Sequence, residues 1–105
     1  MGGNLPDSKE GTEIDEQQKT KEPPLYKVIL LNDDYTTMDF VVKVLEDVFN
    51  KSSNEAKVIM LSVHNNGSGV CGIYIRDIAE TKVLTVNTLA QDNGMPLKCV
   101  MEEVE

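Results

Sequence analysis

Tyr26-Lys27-Val28-Ile29-Leu30-Leu31-Asn32-Asp33-Asp34-Tyr35-Thr36-Thr37-Met38 runs from an apolar strand, through a polar loop, into an amphipathic helix. Tyr26 to Leu31 is a short apolar run with β-branched residues at its centre, the pattern of a strand. Asn32 to Thr37 is turn chemistry, built on side chains that bond nearby backbone. Thr36 or Thr37 can cap the helix that follows. Asp39 stands three residues after Thr36, the spacing of a capping box. Phe40, Val41, Val44, Leu45, Val48 and Phe49 then recur at helical spacing until Asn50-Lys51 breaks the pattern.

Downstream the alternation continues. Ser52-Ser53-Asn54-Glu55 is a second capping box and opens a helix through Ala56, Ile59, Met60 and Val63. Asn65-Asn66-Gly67-Ser68-Gly69 reads as a turn, and Val70 to Ile75 as a strand. Asp77 can cap a third helix carrying Ile78, Val83, Val86, Leu89 and Ala90. Asn93-Gly94 suits its C-terminus, and Pro96 stops it. Leu97 to Met101 is a last short strand. The order β-α-α-β-α-β predicts a two-layer α+β domain. Three helices would pack on a three-stranded, largely antiparallel sheet.

The domain is expected over residues 23–105. Residues 1–22 are rich in Gly, Asp, Glu, Lys, Gln, Ser and Thr, with Leu5 and Ile14 as isolated apolar residues. Such a segment buries too little to offset the entropy of ordering and reads as a disordered tail ending at Pro23-Pro24.

Among 105 residues, 18 acidic side chains against 10 basic ones give a net charge of -8. That balance repels phosphate backbones and anionic lipid, so neither nucleic acid nor a membrane is an expected partner. No apolar run is long enough to span a bilayer, and no basic-then-apolar leader opens the chain. Two cysteines, Cys71 and Cys99, form neither a disulfide framework nor a metal knuckle. A reduced, cytoplasmic monomer is the expectation.

The loop holds an amide, two carboxylates and two hydroxyls, followed by the thioether of Met38. The sole histidine, His64, lies further along. Met60, Val63 and His64 are spaced i, i+3, i+4 and share one helix face. Met38 and Val41 share a face of the preceding helix. If these helices pack as a hairpin, the groups line one groove with the acidic loop at its mouth. Acceptors beside apolar walls suit a ligand that is cationic at one end and apolar at the other, such as a free peptide N-terminus.

Plainer explanations exist for each part. Asn32 and Asp33 can simply bond their own loop, Asp34 can serve the turn or the helix dipole, and His64 can be a surface residue near a helix end. Met38 and Met60 can be core filler. Enzyme readings are weaker. Cys71 with His64 as base, or Asp33 and His64 as an acid–base pair, lack supporting motifs. Asp33-Asp34 lacks calcium-loop spacing, and no phosphate loop or dinucleotide fingerprint is present, so neither a metal nor a cofactor is expected.

Taken together, the residues from Pro23 to about Val104 closely resemble the ClpS adaptor family. The landmarks are Pro23-Pro24-Leu25-Tyr26-Lys27-Val28-Ile29-Leu30, Asn32 to Met38, Met60 to His64, Cys71-Gly72 and Ala79-Glu80-Thr81-Lys82. The resemblance implies an adaptor, not an enzyme, that binds N-terminal degrons beginning with Leu, Phe, Tyr or Trp. It would deliver them to the N-terminal domain of a Clp ATPase of the ClpA or ClpC type. It implies that Asn32, Asp33 and His64 bind the α-amino group, and that Met38, Val41, Met60, Val63 and Leu97 form the side-chain pocket. Asp34 and Thr36 would support the site. Tyr35, Asp77 and Lys82 would face the ATPase, and the tail would take part in delivery. Many members of that family carry Pro where this chain has Thr37. The alternative is a binding domain of similar architecture, such as a ribosomal stalk C-terminal domain, with no role in degron binding.

Overall fold

The computed structural model describes residues 22–105. The tail expected over residues 1–22 therefore lies, apart from Glu22, outside the described residues. Six elements follow in the expected order: β1 (Leu25–Leu31), α1 (Met38–Phe49), α2 (Ser53–Asn66), β2 (Ser68–Ile75), α3 (Arg76–Asp92) and β3 (Lys98–Glu103). The sheet order is β2-β1-β3, and both pairs are antiparallel.

β1 is central because it is the most apolar strand and is paired on both sides. Val28 and Leu30 are fully buried and face the helices. They meet Val41, Val44, Leu45 and Phe49 of α1, Ala56 and Val63 of α2, and Ala79, Val86 and Ala90 of α3 in one core. Cys71 sits at an irregularity in β2: Val28 pairs with Gly72 and Ile29 with Val70, which leaves Cys71 unopposed. This is a β-bulge, and it turns the Cys71 side chain into the core.

The helix starts differ in part from expectation. Thr37, not Thr36, caps α1: its hydroxyl accepts from Phe40 N–H at 3.1 Å. The residue three positions on is Phe40, so no capping box closes, and Asp39 instead lies in the first turn, where the helix dipole favours it. At Ser52 the box is complete, with Glu55 N–H donating to Ser52 Oγ at 3.1 Å and Ser52 N–H to Glu55 Oε1 at 3.0 Å. Asp77 does not cap α3. β2 runs into that helix with no intervening loop, so the cap position falls on apolar Ile75, which offers no side-chain acceptor. The turn expected over Asn65 to Gly69 shrinks to Gly67. α2 continues through Asn66 and β2 starts at Ser68, because Gly67 at φ 92° reverses the chain within one residue.

The β3 edge is held by Asn87 of α3. Its Oδ1 accepts from Cys99 N–H at 2.9 Å and its Nδ2 donates to Cys99 C=O at 3.1 Å, so one amide substitutes for a fourth strand. Replacing it strands two part-buried backbone groups. Asn87→Ala is expected to lower the unfolding free energy by about 2 kcal/mol, measured by urea denaturation. A loss below about 0.5 kcal/mol would show that water satisfies Cys99 equally well.

Candidate functional site

The loop after β1 is organised by Asp33. One carboxylate oxygen accepts from Tyr35 N–H at 2.8 Å and from Thr36 N–H at 2.7 Å, while the other accepts from the Thr36 hydroxyl at 2.5 Å. Partial burial works to raise the carboxyl pKa. The Thr36 hydroxyl, then the N–H groups of Thr36 and Tyr35, outweigh it and hold the pKa below its ordinary 3.8. The group is therefore an anion at neutral pH. A carboxylate has about four acceptor positions, and its own loop uses three, so one remains for a ligand. The local backbone role and a binding role are compatible in this geometry.

A second bond places the loop against α2. Asn32 N–H donates to the Gly67 carbonyl oxygen at 2.9 Å. Gly67 follows α2 directly, so the loop is joined to the helix end that bears His64. Sequence reasoning missed Gly67 as part of the site; the paired signal was a lone glycine after an amphipathic helix and an Asn at a strand end.

Between these parts lies a cavity of about 230 Å³, lined by Asn32, Asp33, Asp34, Thr36, Met38, Val41, Met60, Val63 and His64. Val41 and Val63 are buried and form its floor. Met60 is half-buried, and Met38 is 45% exposed at the rim. Asn32, Asp34 and His64 are exposed at the mouth, with Asp33 half-buried beside them. Among the described residues neither Asp33 nor Asp34 has an ion-pair partner; the salt bridges there are Lys27–Glu102, Lys43–Asp47 and Arg76–Glu80. The result is a closed apolar floor beneath a mouth of oxygen and nitrogen acceptors with uncompensated negative charge. Such a cavity can hold an ammonium attached to an apolar side chain.

The other expected positions fall elsewhere. Leu97 is 4% exposed, belongs to the core, and borders a different cavity between α3 and β3. Asp77 and Lys82 line a groove between α1 and α3 with Asp47, Val48, Ile78, Thr81 and Thr85. The Lys82 ammonium donates to the Val48 carbonyl at 2.6 Å and lies 5.8 Å from the ring centres of Phe49 and Tyr74. α1 has no basic residue in its last turn, so Lys82 supplies that charge from α3. Tyr35 is 80% exposed at the loop tip and does not border this groove.

The thiols are poor nucleophiles. Burial, and then the neighbouring Cys99, pushes Cys71 up to about 12, and burial pushes Cys99 up to about 12 as well. No helix among the described residues is long and apolar enough to cross a membrane.

Comparison with known proteins places this geometry. The family model for the ATP-dependent Clp protease adaptor protein ClpS matches residues 21–100. The ClpS adapter protein of Paraburkholderia xenovorans is 53% identical over 100 residues, covering 94% of this chain and 96% of the relative. That of Desulfatibacillum aliphaticivorans is 61% identical over 85 residues, 81% of this chain and 82% of its own length. The structure of Agrobacterium tumefaciens ClpS2 bound to L-phenylalaninamide superposes with a TM-score of 0.77 at 43% identity, covering 79% of this chain and all of that one. A matched family model, relatives at half identity or better over most of the chain, and the same β-α-α-β-α-β fold agree: the chain belongs to the ClpS family of Clp protease adaptors.

Proposed function

We propose that the cavity binds the free N-terminal residue of a substrate, with Leu, Phe, Tyr or Trp as that residue, and that this chain passes the substrate to a Clp ATPase. The observation that carries the reading is the cavity itself: buried Val41 and Val63 under a mouth of Asp33, Asn32 and His64. The Agrobacterium relative supports it, since L-phenylalaninamide is an α-amine with a benzyl side chain and an amidated carboxyl, as at a peptide's first residue.

The chemistry follows from an α-amino group of pKa about 7.7–8.0, cationic and three-donor near neutral pH. The remaining acceptor position of Asp33, the Asn32 side-chain carbonyl oxygen and a ring nitrogen of His64 can accept hydrogen bonds from its three N–H groups. Asp34 adds to the potential at the mouth, and Thr36 fixes the Asp33 carboxylate. An internal residue or an acetylated terminus brings no charge and fewer donors. Burying the first side chain contributes about 1.5–3 kcal/mol, and each charge-assisted hydrogen bond about 1.5–3 kcal/mol. After association costs, a binding free energy of about -8 kcal/mol is expected, which corresponds to a micromolar Kd.

Asp77, with the groove beside it, and Tyr35 are the residues we assign to the ATPase contact. Asp77 and Tyr35 are both exposed, whereas the ammonium of Lys82 is already committed to Val48.

Free and Nα-acetylated Leu-peptides titrated by fluorescence anisotropy test the reading. Acetylation is expected to weaken binding at least about 30-fold, the loss of one charged interaction of about 2 kcal/mol. Equal affinities would sink the α-amino mechanism. This pair of ligands is a cleaner probe than Asp33→Ala, which also removes three bonds that hold the loop.

Met38 stands at the rim, and we assign to it the wall that a branch at the ligand's Cβ would meet. Met38→Ala is expected to admit peptides beginning with Ile and Val to within about tenfold of Leu, because truncation opens space at that wall. Continued rejection of Ile and Val with Leu binding intact would place the steric filter on another residue.

Removing residues 1–22 is expected to leave peptide affinity within about twofold while reducing degradation of a Leu-initiated reporter by the Clp ATPase and peptidase. Every cavity-lining residue lies after Tyr26, and the composition of residues 1–22 contributes little to a core. Undiminished degradation by the truncated chain would assign delivery to the domain alone.

A further inference from the structure

Gly69 lies at the start of β2 on its helix-facing side, buried and paired with Leu30. α2 lies directly over it. A methyl group built on Gly69 would stand 2.8 Å from Cγ2 of Val63, 3.2 Å from the Ile59 carbonyl oxygen and 3.3 Å from Cγ2 of Ile59. Carbon atoms in contact sit about 3.5–4.0 Å apart, so the first distance is an overlap. Among the described residues Gly67 and Gly94 are the glycines with positive φ, so Gly69 is required by space and not by backbone conformation.

The atom that the methyl meets belongs to Val63, and Val63 is also the cavity floor. A β-branched side chain in a helix strongly prefers one χ1 rotamer, so swinging Val63 aside is costly. Its other neighbours are close-packed core, and the empty space beside it is the cavity. A push from position 69 is therefore delivered to the binding wall. Met60 and His64 ride on the same helix and move with it.

We propose that Gly69, acting through Val63, sets the depth of the cavity and so the upper size limit of the first side chain it accepts. Gly69 touches no ligand; it is a positioning residue. The inference rests on reading the cavity as the site of a free N-terminal residue.

The test uses the full chain, Gly69→Ala, Val63→Ala and the double variant, each titrated with free-amine peptides beginning with Leu, Phe and Trp. In Gly69→Ala the Phe and Trp peptides are expected to lose about tenfold in affinity relative to the Leu peptide. Phe/Leu and Trp/Leu ratios equal to those of the parent chain would overturn the proposal, since a general loss of stability would weaken all three alike. If Gly69→Ala does not fold, the Val63→Ala background carries the test. There the Val63 methyl that makes the overlap is gone. Only the Ile59 contacts at 3.2 and 3.3 Å remain, which yield by a few tenths of an ångström, and adding Gly69→Ala is expected to leave the selectivity of Val63→Ala unchanged. A shift of selectivity in that background, or failure of the double variant to fold, would show that Val63 is not the coupling group. Failure of the parent chain to bind any of the three peptides would instead remove the N-terminal-residue reading on which the inference rests.

Discussion

The cavity depends on where the end of the central strand meets the end of α2, and the β1–β2 ladder, whose last pair is Leu31 with Ser68, fixes that meeting point. Asn32 N–H to the Gly67 carbonyl, 2.9 Å, joins the end of the central strand to the end of α2. Asp33 and His64 are far apart in sequence, and nothing local brings them together. β1 is fixed by pairing on both sides, so its C-terminal end has a defined position. α2 is fixed by the Ser52–Glu55 box at its start and by Gly67 at its end. The bond across these two ends holds the loop that bears Asp33 beside the helix end that bears His64. Val41 and Val63 of the cavity floor belong to the core, but the polar side chains at its mouth are ones that the scaffold does not need for folding. Asp33 is the exception, since its carboxylate shapes its own loop.

That exception sets the pH behaviour of the loop. Three donors hold the Asp33 pKa below 3.8 despite the opposing effect of burial. A depressed folded-state pKa means that the carboxylate stabilises the fold at and above the ordinary carboxylate range. The contribution is lost as pH falls through the folded value. Near neutrality the anion is complete, which is the state a cationic ligand requires. The same three bonds that fix the geometry also secure the charge, so orientation and protonation state come from one arrangement.

Much of this was legible in the sequence because the patterns were local. Val28 and Leu30 against Phe40 to Phe49 gave a strand and a helix by period alone, and Ser52–Glu55 gave a cap by spacing. All nine residues lining the cavity were singled out, since the loop chemistry and the i, i+3, i+4 face of Met60, Val63 and His64 are sequence properties. The misses are tertiary. Asp77 looked like a cap, but a strand running straight into a helix puts the cap on Ile75. Leu97 was joined to the cavity by resemblance; the fold turns it into the core beside β3. Lys82 was set on the ATPase-facing surface by resemblance; the fold adds a bond to the C-terminal end of α1, a partner 34 residues away that no period reveals.

Thr37 shows how the family pattern and the physics meet. The resemblance places Pro at this position in many relatives. Here Thr37 has φ -74° and ψ 150°, a conformation that proline adopts without strain. Proline would stiffen the loop but could not accept the Phe40 N–H that the Thr37 hydroxyl accepts at 3.1 Å. The two residues reach the same backbone by different means, one by restricting the unfolded chain and one by satisfying a helix-end donor. The side chains that line the cavity flank position 37 on both sides, at Thr36 and Met38. Either solution holds those two neighbours in place, so the exchange alters the stability of the loop while leaving the acceptors and walls of the cavity where they stand.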